Sequence, residues 1–159
     1  MEQLTHRQIR RANLKDSAAT IDLAAKIGAQ LKGGEVIELI GDLGAGKTTF
    51  VTGLAKGAKI NEVVSSPSFT IRNDYHSPHL SIAHFDFFRL SNPGELKELL
   101  SEALGDDPQR VVVIEWGKEL SHILPSDRIK LSLKATSLGS REIKLSYPER
   151  YTYLFSGVL

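Results

Sequence analysis

The chain has 159 residues, of which 41% are hydrophobic and 25% are charged, a composition typical of a soluble globular protein. A net charge of +1 disfavours a protein held to nucleic acid by an overall basic field, and the absence of cysteine excludes disulfides and thiolate metal sites. No apolar run reaches the roughly 20 residues that span a bilayer, and the N-terminus lacks the apolar core of a signal peptide. We therefore expect one cytoplasmic domain, residues 1–159, with no membrane or DNA partner.

The N-terminal segment predicts an edge strand followed by a helix. Residues 6–13 have the pattern of a short strand, and Asp16 or Ser17 is suited to cap a helix that Gly33-Gly34 would end. Four basic side chains cluster near the strand, at Arg7, Arg10, Arg11 and Lys15. A solvated basic face is the favoured interpretation of this cluster, and a binding patch is the alternative.

The next stretch carries the most informative motif of the chain. After the apolar strand Val36–Ile40, residues Gly41 to Thr48 fit the pattern G-x-x-x-x-G-K-[ST], and a helix-compatible segment follows to about Lys56. Glycines let successive N–H groups point at phosphate oxygens, and the helix adds its positive N-terminal end. Lys47 can reach the β- and γ-phosphates and Thr48 can ligate Mg²⁺. A strand, loop and helix in this register predict a nucleoside triphosphate site rather than an empty glycine-rich turn.

The middle of the chain predicts a hairpin. Pro67 favours an extended Ser66, and the alternation of Phe69 to Tyr75 indicates a strand. A turn at residues 76–79 leads to a second strand at Leu80–Phe85. The two strands would form an antiparallel pair within an otherwise parallel sheet.

The second half predicts the remaining helices and strands. In chain order these are a helix begun by Asn92-Pro93-Gly94, a buried strand at Val111–Ile114, a short helix at 118–124, an antiparallel pair at 128–134 and 141–147, and a loosely packed tail from Pro148. The fold class is therefore α/β, a P-loop NTPase-like mixed, mostly parallel sheet with helices on both faces and a closing antiparallel strand pair.

Two carboxylates follow apolar strands and are candidates for the metal or water site. Glu115 ends the run VVVIE and Asp86 ends IAHFD. Mg²⁺ takes only one or two protein oxygens, so such acids should end buried strands beside the phosphate loop. The alternative for either acid is a carboxylate that caps its strand or pairs with Arg89.

Other polar and aromatic side chains near these strands have two possible roles. Ser66, Ser68 and Thr70 lie where nucleotide switches place hydroxyls that sense the γ-phosphate, although a Ser/Pro turn would look the same. From spacing alone, Trp116 is more easily read as a core residue than as an exposed contact. His84 is more easily read as a structural histidine than as a base.

Taken together, these motifs resemble the TsaE family of small P-loop ATPases. The resemblance runs from about Asp16 to Arg141 and is carried by GDLGAGKTTF at 41–50, SPSFT at 66–70, HFDFFRL at 84–90 and IEW at 114–116. It implies an ATP and Mg²⁺ site in which Lys47, Asp86 and Glu115 are catalytic and in which Thr48 and Glu115 hold the metal. The nucleotide-binding residues that it implies are Ser17, Thr20, Gly44, Ala45, Gly46, Lys47, Thr48, Thr49, Ser66, Thr70, Lys118 and Arg141.

The resemblance also implies a biological role. Family members are Mg²⁺-dependent ATPases, slow alone, that act on a TsaB–TsaD type complex as it places a threonylcarbamoyl group on adenosine 37 of ANN-decoding tRNAs. The tRNA would take part indirectly. A small-molecule kinase and a nucleotide-gated binding module with incidental hydrolysis remain alternatives. No arginine-rich lid follows VVVIE, and no Asn-Lys-x-Asp segment indicates a GTPase.

Overall fold

A computed structural model describes residues 6–90, 92–105, 107–116, 120–136 and 138–159 of the chain. Within these ranges the chain forms seven strands and four α-helices: β1 (Arg7–Leu14), α1 (Ser17–Gly28), β2 (Val36–Ile40), α2 (Lys47–Gly57), β3 (Arg72–His76), β4 (Ser81–Asp86), α3 (Pro93–Ala103), β5 (Arg110–Glu115), β6 (Ile129–Ala135), β7 (Arg141–Pro148) and α4 (Thr152–Phe155). None of the described helices is both long and apolar enough to cross a membrane.

The strands form one sheet in the order β1-β7-β6-β2-β5-β4-β3. The four middle strands, β6, β2, β5 and β4, run parallel to one another, and the pairings at both ends are antiparallel. The mixed α/β fold and the closing antiparallel pair are therefore confirmed. The antiparallel part is larger than predicted because β1 joins the closing pair. The predicted hairpin is confirmed as the antiparallel pairing of β3 with β4, and β3 forms the opposite edge.

Helices cover both faces of the sheet, as predicted. On one face, α1 and α2 pack over a core that includes Leu39, Leu131 and Leu145. On the other face, α3 inserts Leu96 and Leu100 against side chains of β4 and β5. The phosphate loop joins β2 to α2, so its position is fixed by two elements that are both buried.

Helix α1 begins where predicted but ends earlier. Asp16 is the N-cap, and its carboxylate accepts a 2.8 Å hydrogen bond from an N–H of the first turn. The helix ends at Gly28 and not at Gly33-Gly34. The glycines belong to a loop in which the buried carboxylate of Glu35 accepts hydrogen bonds from the N–H groups of Lys32 and Gly33.

Two predicted elements differ because of local turns. Strand β3 begins at Arg72 and not at Phe69, since the Ile71 N–H closes a 2.6 Å hydrogen bond to the Pro67 carbonyl and Ile71 adopts a φ of 69°. The helix predicted at 118–124 is described only from Leu120, where two hydrogen bonds to the Leu120 carbonyl form a turn.

The C-terminal tail is not the loosely packed surface segment that the sequence predicted. Leu154 is fully buried, and the ring of Phe155 lies 4.3 Å from that of Tyr147. The Tyr153 hydroxyl donates a 2.7 Å hydrogen bond to Glu35, and burial together with this carboxylate raises the tyrosine pKa. The tail therefore completes the core beneath α1 and the start of β2, because its apolar side chains recur at helical spacing.

Replacing Leu154 by Ala should lower the free energy of unfolding by about 2–5 kcal/mol, because the substitution leaves a cavity in a close-packed core. Chemical denaturation followed by circular dichroism measures this difference. The matched control is Ser156→Ala, at an exposed position, which should change stability by less than about 0.5 kcal/mol. Equal stability of Leu154→Ala and the control would contradict the packed position of the tail.

Candidate nucleotide-binding site

The parallel register of three strands brings the candidate residues to one edge of the sheet. In the pairing of β2 with β5, Leu39 lies beside Glu115, and in the pairing of β4 with β5, Asp86 lies beside Glu115. Strand β2 ends one residue later, at Ile40, where the phosphate loop begins. Both strand-end acids therefore lie next to the loop, as expected for carboxyl ends of neighbouring parallel strands.

The phosphate loop has the backbone conformation that its glycines permit. Gly44 and Gly46 have φ values of 79° and 105°, in the left-handed region where a Cβ atom is strained. Gly46 is the N-cap of α2, and the N-terminus of this helix points its N–H groups toward the loop. Apart from its two chain neighbours, no described residue has an atom within 4 Å of the place where a Cβ on Gly44 would be, so the loop is open on that side.

The loop lysine is held inside the site in this state. Lys47 is 7% exposed, and its ammonium donates a 2.6 Å hydrogen bond to the Gly41 carbonyl. The same nitrogen lies 3.9 Å from the ring centroid of Trp116, a cation–π contact. Burial lowers the lysine pKa, and the nearby charges of Glu115 and Asp86 oppose this shift. The ammonium is thus surrounded by groups that a phosphate could replace.

Asp86 is tied to the hydroxyl-rich loop that follows α2. Its Oδ2 accepts a 3.1 Å hydrogen bond from the Ser68 hydroxyl, and its Oδ1 accepts a 2.9 Å bond from the Phe88 N–H. The Ser66 and Ser68 hydroxyls are 2.7 Å apart. The carboxylate is 5% exposed, so these bonds compensate for part of its lost hydration. They also couple the loop at 66–68 to the floor of the site.

Glu115 is oriented by a buried histidine. Its Oε2 lies 3.0 Å from Nε2 of His84, and both side chains are at most 3% exposed. Nδ1 of His84 has no hydrogen-bond partner among the described residues. The complete burial of His84 agrees with a structural role. Through its contact with Glu115, this histidine also orients the candidate metal ligand.

Trp116 lies at the site and not in the core. It adopts a φ of 58°, which turns the chain sharply after β5, and its ring packs against Phe88 in a tilted arrangement with the ring centroids 4.8 Å apart. Phe88 itself is 52% exposed. Spacing alone favours a core position for this tryptophan, because the turn directly after Glu115 is not visible in the residue pattern.

These groups surround a cleft of about 230 Å³. The lining residues are Leu43, Gly44, Gly46, Lys47, Thr48, Thr49, Ser66, Ser68, Asp86, Glu115, Trp116 and Arg141. Arg141 comes from the start of β7, and its Nε lies 3.4 Å from where a Cβ on Gly46 would be. Loop glycines, strand-end acids, serine hydroxyls of the loop after α2 and an arginine from the closing strand pair therefore share one cavity.

Several predicted residues do not line this cleft. Ser17 is exposed at the start of α1, and Thr20 is buried and donates to the Asp16 carbonyl. Ala45 packs into the core, and the Thr70 hydroxyl bonds to Asn73. Lys118 lies outside the described residues.

Leu43 is a lining residue that the sequence did not single out. It is 73% exposed at the tip of the phosphate loop. The sequence marks it only as an apolar residue at a variable position of the motif.

The donor set fits Mg²⁺ bound with a nucleotide better than a metal bound by protein alone. Among the described residues, no three His, Asp or Glu side chains converge on one point. Thr48 and Glu115 nevertheless offer two oxygens in the same cleft. Mg²⁺ commonly takes one or two protein oxygens and completes its shell with phosphates and water.

Replacing Lys47 by Met should change the fluorescence of Trp116, the only tryptophan in the chain, because the ring loses its cation. Emission spectra of the nucleotide-free protein measure this effect. Lys56→Met, at an exposed position of the same helix, is the control and should leave the spectrum unchanged. Superimposable spectra for all three proteins would contradict the contact.

Comparisons with known proteins agree with the geometry. A family model described as "Threonylcarbamoyl adenosine biosynthesis protein TsaE" matches residues 14–143. Two proteins named "tRNA threonylcarbamoyladenosine biosynthesis protein TsaE" are similar: one from Nostoc sp. is 36% identical, covering 92% of this chain and 91% of that protein, and one from Bacillus subtilis is 37% identical, covering 90% and 85%. The crystal structure of Bacillus subtilis YdiB matches with a TM-score of 0.78 at 30% identity, covering 96% of this chain and 95% of that one. The chain therefore belongs to the TsaE family.

Proposed function

We propose that this protein binds Mg²⁺-ATP in the cleft, hydrolyses it slowly, and uses this cycle in forming threonylcarbamoyladenosine in tRNA. The observation that carries the proposal is the meeting of Lys47, Thr48, Asp86 and Glu115 in one cavity beside an open phosphate loop. The names of the family and of its relatives support the pathway.

The phosphates would be bound by the loop and its lysine. Backbone N–H groups between Gly44 and Thr49 would donate to phosphate oxygens, and the N-terminal end of α2 would add positive charge. Lys47 would exchange the Gly41 carbonyl for the β- and γ-phosphates and would leave the face of Trp116. Arg141 lies beside Gly46 and would add a second cation near the phosphates.

Glu115 and Asp86 would have different roles in hydrolysis. Bound Mg²⁺ neutralises charge that develops on the phosphate oxygens, and Thr48 and Glu115 would hold it. His84 fixes the Glu115 carboxylate through Nε2. Asp86 would orient the attacking water, and its bond to Ser68 would let the loop at 66–68 respond to the γ-phosphate.

Exposed apolar side chains beside the cleft support an action on partner proteins. Phe69 is 81% exposed and Leu43 is 73% exposed, and both belong to loops that line the site. Leu138 is 90% exposed in the hairpin that leads to Arg141. Apolar groups that border a cleft commonly mark a protein interface. We assign this border to a TsaB–TsaD type complex, through which the chain would act on tRNA in the cytoplasm.

Glu115→Gln should retain ATP binding but lower the rate of hydrolysis about 100- to 1,000-fold, because the amide keeps the shape and loses the charge. Phosphate release and ATP titration measure the two quantities, and Glu98→Gln, at an exposed position of α3, is the control. Formation of threonylcarbamoyladenosine by the reconstituted complex should fall with hydrolysis. Undiminished tRNA modification despite lost hydrolysis would contradict an ATPase cycle and favour a nucleotide-gated binding module.

Leu138→Ser should reduce stimulation of hydrolysis by the partner complex, because it removes an exposed apolar contact. Hydrolysis by the isolated protein should remain unchanged, since Leu138 does not line the cleft. The matched control is Leu159→Ser, at a partly exposed apolar position in the C-terminal tail. Normal stimulation of Leu138→Ser, or an equal loss in Leu159→Ser, would contradict the assigned interface.

A further inference from the structure

A second cavity, larger than the nucleotide cleft, lies on the open face of the antiparallel half of the sheet. Its volume is about 970 Å³. The polar or charged lining residues are Arg11, Asn13, Asp42, Ser132, Lys134, Glu142 and Lys144. It borders the phosphate loop through Asp42 and Leu43, but its floor is made by β1, β7, β6 and the end of β2.

The strand registers place four cations together on this face. Arg11 lies directly opposite Lys144 in the pairing of β1 with β7. Lys144 in turn lies opposite Ser132 on β6, so Lys130 and Lys134 are its diagonal neighbours. Directly opposite side chains are about 5 Å apart between Cβ atoms, and diagonal ones about 7–8 Å. We call Arg11, Lys130, Lys134 and Lys144 the cationic face.

No member of the cationic face forms a salt bridge within the described part of the chain. None of its four side chains lies within 4.0 Å of a described carboxylate, which is the distance that defines a salt bridge. Two acids lie directly opposite members of this face: Glu142 lies opposite Lys134, and Glu38 lies opposite Lys130. Glu38 is buried and is already paired with Arg128. Arg11 and Lys144 are like charges directly opposite each other, which destabilises a sheet, so this pair favours binding of an anion.

The composition of the face favours phosphates over a protein partner. Three of the four cations are lysines, and Arg11, Lys134 and Lys144 line the cavity, to which the described residues contribute no aromatic side chain. Protein interfaces are depleted of lysine and enriched in aromatic residues. Lysine, arginine, serine and asparagine are the usual donors to nucleic-acid phosphates and sugars, and without stacking groups they bind the backbone rather than the bases.

We propose that the cationic face binds the phosphate backbone of RNA, so that this protein contacts the tRNA directly. The inference rests on the proposed function, which supplies tRNA as the relevant nucleic acid, and it goes beyond the indirect role stated there. The location suits this role, because the phosphate loop lies at the border of the same cavity. RNA on the face would therefore be adjacent to the nucleotide site.

The test is binding of an unmodified, fluorescently labelled tRNA transcript to the full chain, measured by anisotropy at several salt concentrations. Neutralising three or four phosphates gives a slope of log K against log salt of about −3 to −4. The double variant Arg11→Ser/Lys144→Ser should bind at least about tenfold more weakly at low salt, with a slope shallower by about two. Its thermal stability should not fall, because the substitutions remove a like-charge pair.

The control is Lys26→Ser/Lys56→Ser, which removes the same charge from exposed positions of α1 and α2, over the opposite face. It should bind the transcript like the unaltered protein. Absence of RNA binding by the unaltered protein, or an equal loss in both double variants, would overturn the inference. Full RNA binding by Arg11→Ser/Lys144→Ser with lost partner stimulation would also overturn it and would assign the face to an acidic protein.

The same preparations should be titrated with Mg²⁺-ATP, so that the two proposals can fail separately. If the unaltered protein binds RNA but no ATP, and Arg11→Ser/Lys144→Ser loses RNA binding, the result would support RNA binding by the cationic face and contradict the proposed function. ATP binding by an unaltered protein that binds no RNA would support the nucleotide site and contradict RNA binding by the cationic face.

Discussion

The parallel register of β4, β5 and β2 is the constraint on which the rest of the site depends. Because the three strands run in the same direction, Asp86, Glu115 and the start of the phosphate loop reach one edge of the sheet. A register shift of one residue would turn either acid to the opposite face of its strand. The apolar side chains of both faces prevent such a shift, so the core under α1, α2 and α3 also determines the geometry of the site.

Around that edge, each charged group is held by a different element. His84 orients Glu115 from β4, Ser68 reaches Asp86 from the loop after α2, and Trp116 covers Lys47. Buried charges without a ligand are costly, and these contacts keep the carboxylates and the ammonium in place. The bond from Ser68 is the one most readily altered by a ligand, because its loop forms one wall of the cleft.

Much of this arrangement could be predicted from the sequence. The motif at Gly41–Thr48 can be recognised because it depends on local backbone chemistry. The strand-end acids can be recognised because each carboxylate directly follows a run of apolar residues. The position of Trp116 could not be predicted, since its positive φ reverses the direction expected from strand alternation. The burial of the tail could not be predicted because its helical spacing does not identify the surface against which it packs. The contact between Tyr153 and Glu35 joins residues 118 positions apart in the chain.

The position of the basic side chains is a second feature that the sequence alone does not predict. A net charge of +1 disfavoured nucleic-acid binding as a property of the whole chain. The basic cluster near the N-terminus predicts a solvated face with a binding patch as the alternative, and alternation along β1 places its members on both faces of the strand. Arg11 faces Lys144 on the open side of the sheet, whereas Arg10 pairs with Leu145 on the other side. Only the pairing of β1, β7 and β6 creates the cationic face, and no local pattern records that pairing.

Calorimetric titration with ATP and with AMP, both with Mg²⁺, tests the central claim most directly. If the phosphate loop, Lys47 and the strand-end acids form the site, affinity resides in the β- and γ-phosphates, and ATP should bind at least about 100-fold more tightly than AMP. Lys47→Met should remove most of this difference. Equal affinity for the two nucleotides, or a preference for ATP that survives Lys47→Met, would contradict the account.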